Sequence, residues 1–379
     1  MAGYDAIVIG VGGMGSAALY HLARRGLKVL GIEQFDVAHD RGSSHGQSRI
    51  IRRAYFEHPD YVPLLDRVYP MWRELEADTG RDLFVRTGLM LAGPAEGAII
   101  SGVRRAGAAH ELRIDDVPAP EVARRFGAFA VPESMDVLFE QDAGYLRVEA
   151  CIEAHVDRAV ACGAELVLGQ AVRGWCVEGA GVAVTTDRQR FLADRLVLCA
   201  GAWTGQLAAE LGWPLEVRRK VVLWFQDQAA GFRVSRGCPV FGFDTPEGFF
   251  YGFPAGDDGR VKTGNHSGGL VTDDASLVDR ALHPADVEPV QRFVERHLPG
   301  LGGQVLDHSV CLYTVTPDEH FIVDRHRDHA RVLLAAGFSG HGFKFAPVVG
   351  SVLADLAVAG RTDEPAALWS ARRNAIRST

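Results

Sequence analysis

Residues 4–15, which read YDAIVIGVGGMG, decide the fold. The apolar run over 4–9 predicts a buried strand, and the helical spacing of apolar residues over 16–26 predicts a helix after the glycines. Leu27–Ile32 predicts a second strand, which Glu33 ends. Strand, glycine-rich turn, helix and strand in this order are typical of a βαβ unit that binds a dinucleotide.

Each glycine of this turn has a physical task in such a unit. Gly10 allows the tight turn, Gly12 lets the backbone approach a pyrophosphate, and Gly15 lets helix and strand pack closely. The helix N-terminus stabilises the phosphate charge, and Glu33 accepts hydrogen bonds from ribose hydroxyls. An acid at this position disfavours a 2′-phosphate and hence NADP, while NAD and FAD stay open. The same segment contributes further candidate cofactor contacts, Gly13, Met14 and Gln34.

The bulk composition is that of an ordinary globular enzyme. Of the 379 residues, 47% are apolar and 23% are charged, and 40 basic against 48 acidic residues give a net charge of −8. This balance disfavours a general nucleic-acid binder, which needs a basic surface to neutralise phosphates, but it allows a local cationic pocket. Because the sequence has no run of about 18 apolar residues, no membrane span is expected.

The cysteines predict a reduced protein without a metal site. None belongs to a C-x-x-C pair or lies near histidine at zinc spacing. The six are Cys151, Cys162, Cys176, Cys199, Cys238 and Cys311. Scattered cysteines in a long chain are typical of a reducing compartment, and no basic segment followed by a cleavable apolar run opens the sequence. A cytoplasmic location is therefore expected.

Strand-rich and α/β segments alternate along the chain, which predicts a mixed α/β fold (α+β mixed) with two interleaved domains. We assign residues 1–83, 145–216 and 317–379 to a Rossmann-like dinucleotide-binding domain. Residues 84–144 and 217–316 are assigned to a substrate domain built on a mixed sheet that covers the ligand.

Two later segments could also approach a dinucleotide. Leu196–Trp203 is predicted to be an apolar strand that ends in small residues. It is either a second strand next to the cofactor or only a core strand. In the first case its cofactor contacts would be Ala200, Gly201 and Trp203. In 337–344, three glycines precede a helix expected over 348–359. Such a turn could direct N–H groups and the positive end of the helix dipole at an anion, or it could be a flexible loop. Its candidate cofactor contacts are Gly337, Gly340, Gly342, Phe343 and Lys344.

A cationic stripe follows the first βαβ unit. If residues 43–53 are helical, His45, Arg49 and Arg52 fall on one face. Like charges at this spacing repel, so the segment needs an anionic partner. The stripe is either a site for a bound anion or a solvated basic face paired with an acid of the chain, for which Asp40 and Glu57 are candidates.

Six ordered motifs then give a family resemblance that covers nearly the whole chain. They are GVGGMGS, GSSHGQSRIIR, YGFP at 251–254, KTGNH at 262–266, CLYTVTPD at 311–318 and GFSGHGFKF at 337–345. The chain resembles the monomeric sarcosine oxidase and N-methyltryptophan oxidase family. The resemblance implies FAD, a two-domain fold like that of p-hydroxybenzoate hydroxylase, and a monomer. It also implies oxidation of carboxylated secondary amines by dioxygen, which gives imines and hydrogen peroxide.

The resemblance assigns roles to several side chains. Cys311 matches the cysteine that carries the flavin through a thioether at the 8α position, although its own surroundings indicate only a buried structural cysteine. Arg52 and Lys344 match the pair that holds the substrate carboxylate. Arg49 and Lys262 match cations beside the flavin, and a fixed charge at Lys262 would stabilise the anion formed from dioxygen. From pattern alone, Lys262 would be a surface lysine.

Four pocket-lining positions of the family are matched by His45, His266, Tyr251 and Tyr313, and for the two histidines a structural hydrogen-bonding role is equally open. Ser43 and Ser44 complete the candidate cofactor contacts. The chain departs from the family pattern at Ser44, Gln47 and Ser48, but His45 and the arginines stay in place. Gly242 lies where the family borders its substrate, so the pocket can differ in size and the substrate need not be sarcosine.

Two other classes of function remain open at this stage. One is a flavin dehydrogenase that passes electrons to a quinone or a partner protein, against which Lys262 argues. The other is a non-enzymatic NAD-binding or sensor protein. Within the amine oxidases, sarcosine, larger N-methyl amino acids, cyclic imino acids and sugar–amine adducts are all possible substrates.

Overall fold

The computed structural model of the chain describes residues 3–376. In that part the helices are α1 Gly13–Ala23, α2 Val62–Thr79, α3 Ala98–Ala109, α4 Ala119–Arg125, α5 Val148–Ala161, α6 Thr204–Leu207, α7 Pro284–His297 and α8 Ala346–Val358. The strands are β1 Tyr4–Ile9, β2 Val29–Ile32, β3 Ser48–Ile51, β4 Phe84–Arg86, β5 Leu89–Gly93, β6 Ile114–Asp116, β7 Asp136–Glu140, β8 Gly144–Arg147, β9 Glu165–Val167, β10 Val172–Glu178, β11 Gly181–Thr186, β12 Arg190–Leu198, β13 Glu216–Asp227, β14 Val240–Thr245, β15 Gly248–Gly252, β16 Arg260–Asn265, β17 Leu270–Thr272, β18 Leu301–Val315, β19 Ile322–Arg325 and β20 Val332–Ala336.

The predicted βαβ unit forms the centre of the first sheet. Its strand order is β10-β11-β12-β1-β2-β9, and β20 pairs with β12 and β19. Successive side chains of β1 point to opposite faces, so Ala6 and Val8 join one buried cluster while Ile7 and Ile9 join another. Helices α1, α5 and α8 pack together on the first of these faces. The strand and helix predictions for residues 4–32 are confirmed.

Close backbone approach explains two of the glycines. Gly10 has φ +83°, and a Cβ there would lie 2.5 Å from the carbonyl oxygen of Cys199 on the neighbouring chain segment. A Cβ on Gly15 would lie 1.8 Å from the carbonyl oxygen of Gly10. Gly12 differs, because a Cβ there would meet nothing within 4 Å. The turn therefore needs Gly10 and Gly15 for its own folding, whereas Gly12 leaves space beside the backbone.

Gly15→Ala should lower the free energy of unfolding by about 3 kcal/mol, because the new Cβ forces the turn and helix α1 apart. Gly12→Ala is the matched control, since its Cβ has room and its φ is −73°. It should weaken cofactor binding and leave the stability of the cofactor-free chain within about 1 kcal/mol. Urea unfolding of both variants measures the difference. Equal unfolding midpoints would contradict the steric account.

The second sheet is largely antiparallel, in the order β17-β13-β16-β15-β14-β5-β7-β6, with β18 pairing along β13. Its inner face buries an aromatic cluster that includes Phe241, Phe243 and Phe250 against Phe293 of α7. Helix α7, which packs on this face, ends at His297. The mixed α/β fold class is confirmed.

A small sheet of β3, β8 and β4 corrects the prediction for the cationic stripe. The stripe is not a helix, because Ser48–Ile51 pairs with β8 antiparallel and a turn with positive φ at Gly46 and Gln47 precedes it. Two β-branched residues, Ile50 and Ile51, favour the strand. His45, Arg49 and Arg52 consequently do not share a helix face.

All strands of the first sheet lie in the segments assigned to the dinucleotide-binding domain. The strands of the second sheet lie in the segments assigned to the substrate domain, except that β13 begins one residue earlier, at Glu216. The small sheet uses both, so the domain limits themselves stay a prediction. Among residues 3–376, the helices are all too short or too polar to cross a bilayer.

Candidate active site

Residues of both sheets line one large cleft, about 1930 Å³ including its opening to solvent. Most of the predicted site residues lie on its wall: Gly10, Gly12, Gly13, Met14, Glu33, Gln34, Ser43, Ser44, Arg49, Arg52, Ala200, Gly201, Trp203, Tyr251, His266, Tyr313, Gly337, Gly340, Gly342, Phe343 and Lys344. Five others lie behind that wall: Gly15, His45, Gly242, Lys262 and Cys311. The topology thus brings most of the predicted set together at one place.

At the βαβ end of the cleft, Glu33 supports the glycine-rich turn. One carboxylate oxygen accepts a hydrogen bond from the Val11 amide at 2.8 Å, and the other accepts one from the Phe35 amide at 3.1 Å. Burial raises the pKa of Glu33, but His39 at 3.4 Å and the two amides outweigh burial and leave the pKa below its usual value. Glu33 is therefore an ionised group on the cleft wall. Sequence reasoning missed its partner His39.

Strand β3 brings a cation, Arg49, against Cys311. Arg49 donates to the carbonyl oxygens of Ser43 at 2.6 Å and Ser48 at 2.8 Å, and its Nη2 lies 3.5 Å from Cys311 Sγ. Burial raises the pKa of the Cys311 thiol, but the charges of Arg49 and Lys262 and a hydrogen bond from His45 bring it down to about 6. A thiol pKa of about 6 favours the nucleophilic thiolate form at neutral pH.

Lys262 lies behind Arg49 and is 3% exposed, so the interpretation as a surface lysine is wrong. Its Nζ donates to the carbonyl oxygens of Gly46 at 2.5 Å and Ser48 at 2.8 Å, and lies 4.2 Å from the ring centroid of Phe253. Burial and the Arg49 charge hold the pKa of Lys262 well below its usual value. An anion placed nearby would favour the ammonium form and raise that pKa again.

His45 is buried and has both ring nitrogens at hydrogen-bonding distance from neighbours. Nε2 lies 3.1 Å from the carbonyl oxygen of Gly42, and Nδ1 lies 3.1 Å from the hydroxyl of Ser309. These contacts fit the structural role that the sequence left open. The Cys311 thiol is a further hydrogen-bonding neighbour of His45.

Arg52 forms a buried ion pair with Glu57 on the cleft wall. Its Nη2 lies 2.6 and 2.7 Å from the two carboxylate oxygens, and its guanidinium stacks 4.1 Å from the ring centroid of Phe56. Burial raises the pKa of Glu57, but Arg52 and then His341 outweigh burial and hold the pKa at about 2. The sequence left open that the stripe is a solvated basic face paired with an acid of the chain. Arg52 does pair with Glu57, but this pair is buried and not solvated. Asp40 instead pairs with Arg41.

Lys344 and Arg52 lie at the same end of the cleft. Lys344 Nζ donates to the carbonyl oxygen of His341 at 2.5 Å and to the hydroxyl of Tyr55 at 3.4 Å. That hydroxyl also lies 2.5 Å from Nδ1 of His341. Burial and then the Arg52 charge lower the pKa of Lys344 to about 7. Sequence reasoning missed Tyr55 and His341, because only their tertiary contacts connect them to the cations.

The aromatic side of the cleft holds Tyr251, His266 and Tyr313. His266 Nδ1 lies 3.4 Å from the Tyr313 hydroxyl, and burial, with the charge of Lys220, lowers the pKa of His266 to about 4. Lys220 donates to the carbonyl oxygens of residues 266, 267 and 268 and so holds this turn. Gly340 lies against the Tyr313 ring, where a Cβ would come within 2.2 Å.

Gly242 does not border the cleft, which corrects the prediction that it is a direct substrate contact. A Cβ there would lie 2.8 Å from the ring of Phe249 and from the side chain of Leu91, and these two residues line the cleft instead. Gly242 therefore affects the pocket through the position of Phe249.

The glycine-rich segment at 337–344 follows β20 and lines the cleft as predicted. A 3₁₀ turn at Phe343–Phe345 leads into α8, which begins at Ala346, two residues before the predicted start. The segment is tied to β18, because the Ser339 amide donates to the carbonyl oxygen of Thr314 at 2.9 Å.

Comparison with known proteins identifies the family. The family described as FAD dependent oxidoreductase matches residues 5–356. The chain belongs to this family. The oxidoreductase is 41% identical to monomeric sarcosine oxidase of Streptomyces avermitilis over 376 residues, which is 98% of the chain and 97% of that protein. It is 38% identical to N-methyl-L-tryptophan oxidase of Salmonella arizonae over 357 residues, covering 94% and 95% of the two chains.

Among solved structures, the oxidoreductase is similar to the open form of NikD, described as an unusual amino acid oxidase essential for nikkomycin biosynthesis. The two share 26% identity with a TM-score of 0.87, and the match covers 98% of each chain. The predicted family and the prediction of an FAD-dependent enzyme are confirmed, and the choice between FAD and NAD is decided for FAD. The site fits this cofactor, since Gly12 leaves space at the N-terminus of α1 and Glu33 lies ionised beside the turn.

Proposed function

We propose that the oxidoreductase oxidises secondary amino acids, either N-methylated or cyclic, to imines, with hydrogen peroxide as the second product. The observation that carries the proposal is the pair of cations at one end of the cleft, Arg52 and Lys344. Both lie over one ring, since Arg52 Cζ is 4.3 Å and Lys344 Nζ is 5.0 Å from the ring centroid of Tyr55. A guanidinium fork and an ammonium so placed suit one carboxylate. The names of the relatives support an N-methyl amino acid as donor.

In this proposal the substrate carboxylate replaces Glu57 on Arg52. The ion pair between Arg52 and Glu57 is already buried, with side chains 6% and 13% exposed. When the substrate carboxylate replaces that of Glu57, the Arg52 guanidinium still has one carboxylate partner. The guanidinium therefore stays paired, whereas Glu57, whose side chain is 13% exposed, loses its partner and carries the cost of the exchange.

Lys344 should make carboxylate binding depend on pH. Its pKa of about 7 means that the ammonium form, which binds an anion, predominates below pH 7 and is lost as the pH rises. The dissociation constant of acetate, which carries no amine, should be flat below pH 7 and rise by up to about tenfold per pH unit above it. Glu57, His341 and His266 have pKa values of about 2, 3 and 4 and do not titrate in this range. A titration of acetate binding from pH 6 to 9 measures the effect, and the same slope in Lys344→Met would contradict it.

The turn around Gly12 and Glu33 would hold FAD, and the bound cofactor would supply the redox chemistry, which is acceptance of a hydride equivalent from the carbon next to the amine nitrogen and transfer of the electrons to dioxygen. The residues of the chain hold the amine and exclude water. Since the pKa of His266 is lowered to about 4, this imidazole is neutral at physiological pH, and we assign no residue as a strong base. The amine accordingly binds as its free base.

We propose dioxygen as the electron acceptor because two cations lie together at one part of the cleft, Arg49 on its wall and Lys262 behind it. Lys262 donates to two carbonyl oxygens, which leave its charge uncompensated, and an anion formed beside it would favour the ammonium form and be stabilised by it. A peroxide-coupled screen of sarcosine, larger N-methyl amino acids and cyclic imino acids tests the proposal. One peroxide per amine consumed is the expected result. Amine consumption that needs a quinone and yields no peroxide would favour the dehydrogenase.

We further propose that Cys311 carries the flavin through a thioether at its 8α carbon. The support is chemical: Cys311 is buried, lies 3.5 Å from Arg49, and has a thiol pKa of about 6 that favours the nucleophilic thiolate.

Acid precipitation tests the linkage directly. The wild-type protein should retain yellow colour in the pellet, whereas Cys311→Ser should release all of its flavin into the supernatant, because the hydroxyl is not ionised at neutral pH. Cys199→Ser is the matched control, since Cys199 is also buried but burial raises the pKa of its thiol to about 12. Flavin that is released from both the wild type and the variants would rule out the linkage.

We also propose that the enzyme is monomeric and cytoplasmic. Several relatives carry the word monomeric in their names, and the six cysteines of the chain are free, as expected in a reducing compartment.

A further inference from the structure

Four apolar side chains of one hydrophobic cluster line the cleft, and we call them the apolar wall: Phe56, Leu89, Leu91 and Phe249. Leu89 and Leu91 are alternate residues of β5 and therefore point to the same face of the sheet. The rings of Phe56 and Phe249 meet edge to face, with centroids 5.7 Å apart and planes at 81°. The wall thus joins a strand of the second sheet to the segment that carries Arg52.

Gly242 sets the position of the Phe249 ring. In the register of β14 with β5, Gly242 lies opposite Leu91, and a Cβ on Gly242 would lie 2.8 Å from both Leu91 and the Phe249 ring. Without that Cβ, the ring can lie over β14 beside Leu91. Any larger residue at 242 would push the ring away from the strand.

The wall begins where the cationic end of the cleft stops. The Arg52 guanidinium lies 4.1 Å from the ring centroid of Phe56, and the other end of the wall, Phe249, has its ring centroid 6.1 Å from that of His266. A ligand whose carboxylate is on Arg52 and which extends toward His266 therefore passes along the wall. Phe56 and Phe249 are each only partly buried, so their rings present apolar surface to that ligand.

We propose that the apolar wall selects secondary amino acids with an apolar side chain over sarcosine, which has none. This inference rests on the proposed function, because it takes the carboxylate position from Arg52 and Lys344. The free energy comes from removing both the wall and the substrate side chain from water, and each buried methylene strengthens binding by about fourfold.

The test compares kcat/KM for N-methyl derivatives of glycine, alanine, valine, leucine and aspartate with the holoenzyme. We expect a rise of about fourfold per methylene from glycine to valine, and the aspartate derivative below the valine derivative, since a charged side chain would lose hydration against the wall. A flat series, or N-methylglycine as the best substrate, would overturn the inference and indicate that the rings only fill the pocket.

Variants of Phe249 locate the effect. Phe249→Ala should lower kcat/KM for the leucine derivative by at least tenfold and change that for N-methylglycine by less than twofold, while Phe249→Leu, which keeps an apolar side chain, should stay within threefold of wild type for both. Gly242→Ala should also penalise the larger substrate, since its Cβ displaces the ring. Equal losses for both substrates in Phe249→Ala would show a merely structural role and overturn the assignment.

A binding measurement separates this inference from the proposed function. Acetate, butyrate and hexanoate are titrated into the holoenzyme and followed by the perturbation of flavin absorption. Tighter binding of the longer acids, without turnover of any secondary amine, would support the wall and refute the proposed function. Turnover of amines together with equal affinity for the three acids would refute the wall alone.

Discussion

Lys262→Met should slow the reaction of the reduced enzyme with dioxygen by roughly 100-fold, the loss expected when a fixed group that stabilises a developing anion is removed. Lys262 is 3% exposed, and its two hydrogen-bond acceptors at 2.5 and 2.8 Å fix the ammonium next to Arg49. Mixing anaerobically reduced enzyme with oxygenated buffer in a stopped-flow instrument measures this step. The reductive step with amine should change much less, since Lys262 lies behind the cleft wall.

Lys262→Arg provides the control, because it keeps a positive charge at the same place and should recover part of the oxygen rate. Equal losses in the methionine and arginine variants would mean that geometry and not charge matters. A loss confined to the amine step would contradict the assigned role.

Loss of either carboxylate-binding cation should lower kcat/KM for a carboxylated amine by roughly 10- to 100-fold, the range for one hydrogen bond to a charged group. Lys344→Met removes the ammonium group beside His341. Arg52→Lys replaces the guanidinium group that binds Glu57 by a single ammonium group. Arg52→Ala should be worse than either, because it also leaves the buried Glu57 carboxylate unpaired.

A substrate without a carboxylate separates binding from general damage. N-methylbenzylamine should be a poor substrate of the wild type, and Lys344→Met should leave its kcat/KM within about threefold. If both substrates lose activity in parallel, or if the variants leave the turnover of carboxylated amines unchanged, the proposed carboxylate site is wrong.

The first βαβ unit could be predicted because its information is local. The strand at 4–9, the turn at Gly10–Gly15 and the helix after it depend on residues close in sequence, and the structure has them where the pattern placed them. The stripe at His45–Arg52 could not be predicted in the same way. Helical spacing suggested one face, but pairing with β8, about 100 residues further along the chain, makes Ser48–Ile51 a strand.

The candidate site shows the same limit. The family motifs indicated cations that the structure places on or behind the cleft wall, and the basic stripe offered Glu57 as a partner. The burial of that pair and the network around Tyr55 and His341 depend on tertiary contacts that the sequence does not show. Gly242 was assigned a direct contact because a residue at that position borders the ligand in the family. In this chain the Phe249 ring occupies the space that a side chain at 242 would fill, and Phe249 instead of residue 242 lines the cleft.

The separation of the site residues along the chain has a consequence for biogenesis. The contacts of Lys262 with Gly46, of Arg49 with Cys311 and of Lys344 with Tyr55 close loops of 216, 262 and 289 residues. Contacts of such long range form late in folding, and the ribosome releases the N-terminal part of a chain first. The nascent βαβ unit therefore emerges long before Lys344, and the complete flavin pocket can be loaded only after Lys344 has left the ribosome.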